Sequence, residues 1–311
     1  MEFKNLGFVV VDEQHRFGVH QRLKLSSKGK MVDMLVMSAT PIPRTLALTI
    51  YGDMDLSILD EKPLGRKDIL TCAMNVNKIN DVVEGLKRAI SDDKQIYWVC
   101  PLVEETLKSD LKAVTERFEN LKSIFGDKVG MVHGKLKPEE KDKAINDFAS
   151  GKTKILVATT VIEVGIDVKS ATIMIIEHSE RFGLSQLHQL RGRVGRNDED
   201  SSCVLLYADN LTDVAKQRIN VLRNTNDGFK IAEEDLKIRG MGDVLGTKQS
   251  GIPEFKLADL SLDNDLLKIA SQDARLIIKN DPELKSIRGQ NLRTLLYLFN
   301  QDQAISNLRS G

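Results

Sequence analysis

Phe8-Val-Val-Val-Asp-Glu-Gln-His15 is an apolar run that breaks abruptly into two acids. Unbroken apolar character, without alternation, is what a parallel strand covered on both faces requires, and the carboxyl ends of such strands are where α/β sheets receive ligands. Met34-Leu-Val-Met-Ser-Ala-Thr40 repeats the design, ending in small hydroxyl residues before Pro41 and Pro43 open a helix through Leu46 and Leu48. Working outward, apolar runs fall at 69–74, 95–100, 129–132, 154–158, 172–176 and 203–208, separated by helical periodicity at 78–91, 110–125, 137–149 and 185–191. Strands alternating with helices predict βαβ units and a parallel sheet, so the fold class is α/β.

The chemistry sits where these runs end. An Asp at a strand end, Asp12, suits Mg²⁺ held through water, and Glu13 beside it suits orienting or deprotonating an attacking water. Read alone, the pair is equally an ordinary loop start, and Ser38 or Thr40 equally a helix cap. Gln189-Leu-Arg-Gly-Arg-Val-Gly-Arg196 places Arg193 and Arg196 three residues apart, with Gly192 and Gly195 letting the backbone bring them together. Guanidinium groups stay charged and bond bidentately, so the run suits a polyphosphate; a solvated basic turn is the plainer reading.

Taken in order, these elements resemble a known set. Asp12-Glu-Gln-His15, Ser38-Ala-Thr-Pro-Ile-Pro-Arg-Thr-Leu-Ala47 and Gln189–Arg196 are similar to motifs II, III and VI of the superfamily 2 helicases and translocases. Ile155-Leu-Val-Ala-Thr-Thr-Val-Ile-Glu-Val-Gly-Ile-Asp167 resembles motif V, and Gln95–Glu104 with Val132-His-Gly134 resembles motif IV and its neighbour. The resemblance implies a RecA-like P-loop NTPase fold: a partial first lobe and linker at 1–68, a complete second lobe at 69–209, a helical hairpin and translocation loop at 210–259, and terminal helices at 260–311.

It also implies ATP and Mg²⁺ as cofactors. Asp12 (the Mg²⁺ residue, through water), Glu13, Gln189, Arg193 and Arg196 would be catalytic, with Gly165 and Asp167 also facing the nucleotide. Ser38 and Thr40 would couple the sites, while Thr159 and His133 would face nucleic acid. From the residues alone, Thr159 and Thr160 also suit a helix cap, Asp167 a turn closure and His133 a structural hydrogen bond. Within the superfamily, Asp12–Gly18 and Arg239-Gly-Met-Gly-Asp-Val-Leu-Gly-Thr-Lys-Gln-Ser-Gly251 resemble the RecG family of bacterial fork-reversal translocases, with the transcription-repair coupling factors second. Arg239 and Gln249 then match the residues that couple nucleotide state to DNA movement, and Met241 stands where Pro is common. The four glycines of that stretch also suit a flexible connector.

Composition bounds the rest. A chain of 311 residues with 41% apolar content suggests about two domains with real cores. Lys plus Arg equals Asp plus Glu at 45 each, so DNA affinity must come from local patches rather than an overall field. Cys72, Cys100 and Cys203 form no Cys-x-x-Cys pair and read as buried free thiols. No run approaches the ~18 apolar residues of a membrane span and the start has no signal-peptide pattern, which suggests a cytoplasmic protein with no membrane partner.

A phosphate-cradling Gly-x-x-x-x-Gly-Lys-Ser/Thr loop must follow a strand and precede a helix. Gly151-Lys-Thr153 has Asn146 in place of the first Gly and lies in the reverse order. The resemblance therefore implies that the stretch is the carboxyl-terminal part of a longer monomeric protein acting on branched double-stranded DNA, inactive alone, with the P-loop half of lobe one and a wedge domain upstream against which the terminal helices would dock. Competing readings are a non-hydrolysing nucleic-acid-binding module with a helicase-like lobe, and an unrelated α/β NTPase or metabolic enzyme.

Overall fold

The computed structural model describes residues 3–12, 28–29, 32–39, 55, 57–61, 63, 65–101, 107–160, 168–239 and 264–299. Contacts divide the chain into two units, Met1–Ile42 with Asp60–Ile238 and Pro43–Leu59 with Arg239–Gly311.

In the first unit, β1 (Phe8–Val11) and β2 (Asp33–Val36) pair in parallel with Val11 opposite Val36. Six further strands follow: β3 (Leu70–Asn75), β4 (Gln95–Val99), β5 (Val129–Val132), β6 (Ile155–Ala158), β7 (Ala171–Ile176) and β8 (Ser202–Tyr207). They form one all-parallel sheet in the order β3-β8-β7-β4-β6-β5. Each of the six apolar runs from 69 onward is a strand to within one residue. First and last strands are neighbours, paired from Leu70↔Ser202 to Asn75↔Tyr207.

Both faces of this sheet are covered, as the unbroken apolar strands require. On one face, α1 (Ile79–Ser91) and α2 (Leu107–Phe125) pack over Ile96 and Trp98, with Val82, Val83, Leu86 and Ile90 forming the buried stripe of α1. Each such side chain contributes about 1.5–3 kcal/mol of burial. On the other, α3 (Pro138–Ala149) and α4 (Leu184–Arg191) pack over Tyr97 and Val99, and the rings of Tyr97 and Phe148 lie 4.9 Å apart.

Helix α1 ends in a Schellman turn, with Lys94 N–H donating to the Ala89 carbonyl and Asp93 N–H to that of Ile90. Asp93 takes the left-handed position at φ 61° where Gly is usual, and its carboxylate meets Lys154 at 2.7 Å. Gly151-Lys-Thr153 joins the end of α3 to the start of β6, so the order is helix then strand and the phosphate-loop context is not met.

Beyond β8 the expected hairpin is present as α5 (Asp213–Asn224) and α6 (Gly228–Arg239). Thr212 caps α5 by accepting from Ala215 N–H at 3.2 Å. Helix α6 starts three residues before the expected Ile231 because the Asp227 carboxylate accepts from the Phe229 and Lys230 amides at 2.9 and 3.3 Å. The second unit contains α7 (Asn264–Asn280) and α8 (Ile287–Leu298), separated at the expected Asp281-Pro break. There the Asp281 carboxylate accepts from the Lys285 and Ser286 amides. Leu266 and Ile269 of α7 are exposed.

Candidate functional site

Pairing Val11 with Val36 sets the carboxyl ends of β1 and β2 side by side, and Met37 N–H donates to the Val11 carbonyl at 2.8 Å. Asp12 follows β1 directly, Ser38 follows β2 after Met37, and both are exposed. The first acid of motif II and the hydroxyl of motif III thus share one edge. Glu13, Thr40, Gly165, Asp167 and Gln249 lie outside the described residues, as does the side chain of Arg239.

Strand order brings a second pair together. His133 follows β5 and Thr159 follows β6, and Thr159 N–H donates to the Val132 carbonyl at 3.4 Å. Thr159 is 2% exposed and its hydroxyl makes no hydrogen bond among the described residues. His133 is largely buried, with Nδ1 accepting from the Lys135 amide at 3.3 Å. Burial, then the charges of Lys141 and Lys135, lower its pKa and favour the neutral ring, and a neutral ring whose Nδ1 accepts has Nε2 as its donor. The structural hydrogen bond expected of His133 is there, and so is a basic surround suited to an anion.

The arginine run is built on α4, whose Leu184, Leu187 and Leu190 are fully buried. Past its end the chain turns at Gly192, and Val194 is buried between half-buried Arg193 and Arg196. Val194 plugs the turn into the core, so both guanidiniums branch from a fixed base. Arg196 Nε donates to the Gly192 carbonyl at 3.2 Å. Gly195 is required: it sits at φ 71°, and a Cβ there would lie 2.9 Å from Ile69 Cγ1.

Two arginines that the sequence reading passed over carry much of this architecture. Arg191, 2% exposed, donates through Nη1 to the carbonyls of Leu222 at 2.6 Å and Thr225 at 2.9 Å, and to Thr71 Oγ1 at 3.3 Å. It ties the arginine turn to the end of α5 and to β3. Ser185 Oγ adds a bond of 2.9 Å to Asp235 on α6. An arginine inside an arginine-rich run gives no sequence sign of being the buried one.

Arg117 of α2 makes the other link, to Glu177 at the carboxyl end of β7. Its Nε and Nη2 meet the two carboxylate oxygens at 2.9 and 2.7 Å, and its guanidinium lies 5.4 Å from the Trp98 ring centroid. Trp98 Nε1 donates to the same carboxylate at 2.9 Å. Burial alone would raise the Glu177 pKa, but the Arg117 hydrogen bonds and charge, with Trp98, outweigh it and hold the carboxyl below its usual range. Cys100, directly after the adjacent β4, is pushed well up by burial and by Glu177, and Cys203 up to about 12 by burial; both are inert thiols.

A doubly covered parallel sheet that ends in a glycine-bracketed arginine turn is a RecA-like lobe, and the Helicase conserved C-terminal domain matches residues 77–198. Residues 225–296 match the family described as ATP-dependent DNA helicase RecG, domain 3, C-terminal. The chain is 46% identical over 301 residues to the ATP-dependent DNA helicase RecG of Bacillus subtilis, covering 94% of this chain and 44% of that one. Against RecG of Thermotoga maritima it is 50% identical over 279 residues, covering 89% and 36%. A solved structure of RecG bound to a three-way DNA junction superposes with a TM-score of 0.65 at 47% identity, over 86% of this chain and 34% of that one. The chain belongs to the RecG family. It spans less than half the length of these relatives, and the transcription-repair coupling reading draws no support from them.

Proposed function

We propose that the protein is an ATP-dependent double-stranded-DNA translocase that remodels branched DNA such as stalled forks and Holliday junctions, working as a cytoplasmic monomer together with the nucleotide-cradling half of lobe one and a wedge domain. The observation that carries this reading is the Gln189–Arg196 turn, two half-buried guanidiniums braced on a buried Val194 in a RecG-family chain. Among the described residues no helix is long and apolar enough to cross a membrane.

Asp12 fits a magnesium ion held through water, being a hard oxygen donor exposed at a strand end beside Ser38. When bound, Mg²⁺ and ATP supply the transferable phosphoryl group and the charge that offsets its oxygens. Glu13 would orient the attacking water, Gln189, Arg193 and Arg196 would bind the developing phosphate charge, and Gly165 and Asp167 would contact the nucleotide. Ser38 and Thr40 would relay between sites. His133 and Thr159 would face a DNA phosphate; what supports this is that they lie on neighbouring strand ends, that the Thr159 hydroxyl makes no hydrogen bond among the described residues, and that Lys135 and Lys141 lie near the His133 ring.

Arg239 and Gln249 are proposed to exchange hydrogen-bond partners as the nucleotide site opens and closes, without touching the γ-phosphate. Gln249→Ala or Arg239→Ala in the intact protein should therefore keep most DNA-stimulated ATP hydrolysis while fork unwinding falls sharply. Both rates are measured on one fork substrate. Equal loss of the two would move these residues into catalysis or folding, and an unaltered protein would make the loop a connector. No hydrolysis by the unaltered intact protein would favour a non-hydrolysing DNA-binding module.

A further inference from the structure

The segment that leads into β3 is docked on the arginine turn. Gly65 and Gly195 both take left-handed backbone, at φ 85° and 71°, and each is filled by the opposite segment. A Cβ on Gly65 would lie 2.7 Å from Asp198 Oδ1, and one on Gly195 would lie 2.9 Å from Ile69 Cγ1. Between these contacts, Arg66 Nε donates to the Gly195 carbonyl at 2.9 Å, and Lys67 Nζ meets Asp200 at 2.8 Å. Leu70 N–H donates to the Ser201 carbonyl at 3.0 Å, and Asn226, from the hairpin turn, donates to the Ile69 carbonyl at 3.3 Å. An exposed linker has no need of so many specific contacts with one stretch, residues 195–201.

We infer that Arg66 is a positioning residue for the arginine turn: by holding the Gly195 carbonyl it fixes the peptide from which Arg196 branches, and so makes the linker a setter of arginine geometry. The inference rests on the helicase reading above. Its chemistry needs a donor at one place in the side chain and no charge, because the acceptor is a neutral carbonyl. Gln carries Nε2 four bonds from Cα, as Arg carries Nε, whereas Lys keeps the charge but moves its nitrogen one atom further out.

The test is steady-state ATP hydrolysis by the intact protein with a three-way DNA junction, comparing Arg66→Ala, Arg66→Gln, Arg66→Lys, Arg196→Ala and the Arg66→Ala/Arg196→Ala double variant, with melting temperatures recorded for each. Arg66→Ala should lower kcat by about three- to tenfold, the range one hydrogen bond controls, with KM for ATP within about twofold. Arg66→Gln should recover most of the loss and Arg66→Lys little. In the Arg196→Ala background Arg66→Ala should cost nothing further, since two residues acting as one unit are not additive. Recovery by Lys and not by Gln would overturn the inference in favour of a charge acting on phosphate. Additive losses, or losses that track melting temperature, would overturn it in favour of a stability role. If Arg196→Ala turns over normally, the helicase reading of the turn fails; if Arg196→Ala collapses and Arg66→Ala is neutral, only the present inference fails.

Discussion

Arg196→Ala should collapse ATP turnover in the intact protein by about 10³- to 10⁵-fold, the range over which an arginine finger acts on phosphoryl transfer, or roughly 4–7 kcal/mol of transition-state stabilisation. The side chain leaves a turn that is fixed on both flanks, by buried Val194 and the Arg66 bond to the Gly195 carbonyl before it and by the linker contacts to Asp200 and Ser201 after it. Its loss should therefore remove charge without unfolding the lobe. Junction affinity should change little, because a guanidinium aimed at nucleotide does not neutralise DNA phosphate. Single-turnover hydrolysis and binding titrations at several salt concentrations separate the outcomes. Normal hydrolysis with weakened binding and a shallower salt slope would make Arg196 a DNA contact.

Arg117→Leu should destabilise the protein by about 3–5 kcal/mol, since removing one partner of a buried pair strands the other charge. Among the described residues Glu177 would keep the Trp98 donor and the distant Cys100 thiol. The sign of the pH dependence follows from the depressed Glu177 pKa: its stabilising effect is complete above the unfolded carboxyl value, near 4.3, and is lost as pH falls through the folded value. Urea unfolding of both proteins from pH 7 downward should show the wild type losing stability in acid while the gap to Arg117→Leu narrows. A gap that widened in acid, or was absent at pH 7, would mean that the pair is not the stabilising element described.

The sheet was legible because the strands of the second lobe are apolar on both faces and bounded by polar helix starts, so their pattern has few other solutions. Ile96–Val99 is buried throughout, and its apolar sequence is correspondingly unbroken. The arginine turn was legible for another reason: glycines at 192 and 195 beside arginines at 193 and 196 have little to do in a core. What stayed hidden was long-range pairing. Arg117 meets Glu177 across sixty residues and Arg191 reaches Leu222 and Thr225, and neither partner carries a local signature. The start of α6 was missed because Asp227 read as part of a turn cluster, when its carboxylate is the cap that begins the helix. Glu13 and Thr40 rest on their place in the sequence pattern and on resemblance, and Gly165, Asp167 and Gln249 on resemblance, since all five lie outside the described residues.

The pairing of β3 with β8 also decides how the lobe bears force. The linker enters at the first residue of β3 and the hairpin leaves from the last residue of β8, and the two strands run parallel through six matched pairs. A pull between linker and hairpin therefore acts along the strands from opposite ends, in shear, and every rung of that ladder takes tension at once. The same strands pulled from one end would unzip rung by rung, each bond yielding alone. Force that enters by the linker and leaves by the hairpin thus meets the β3–β8 ladder in shear and not in unzipping.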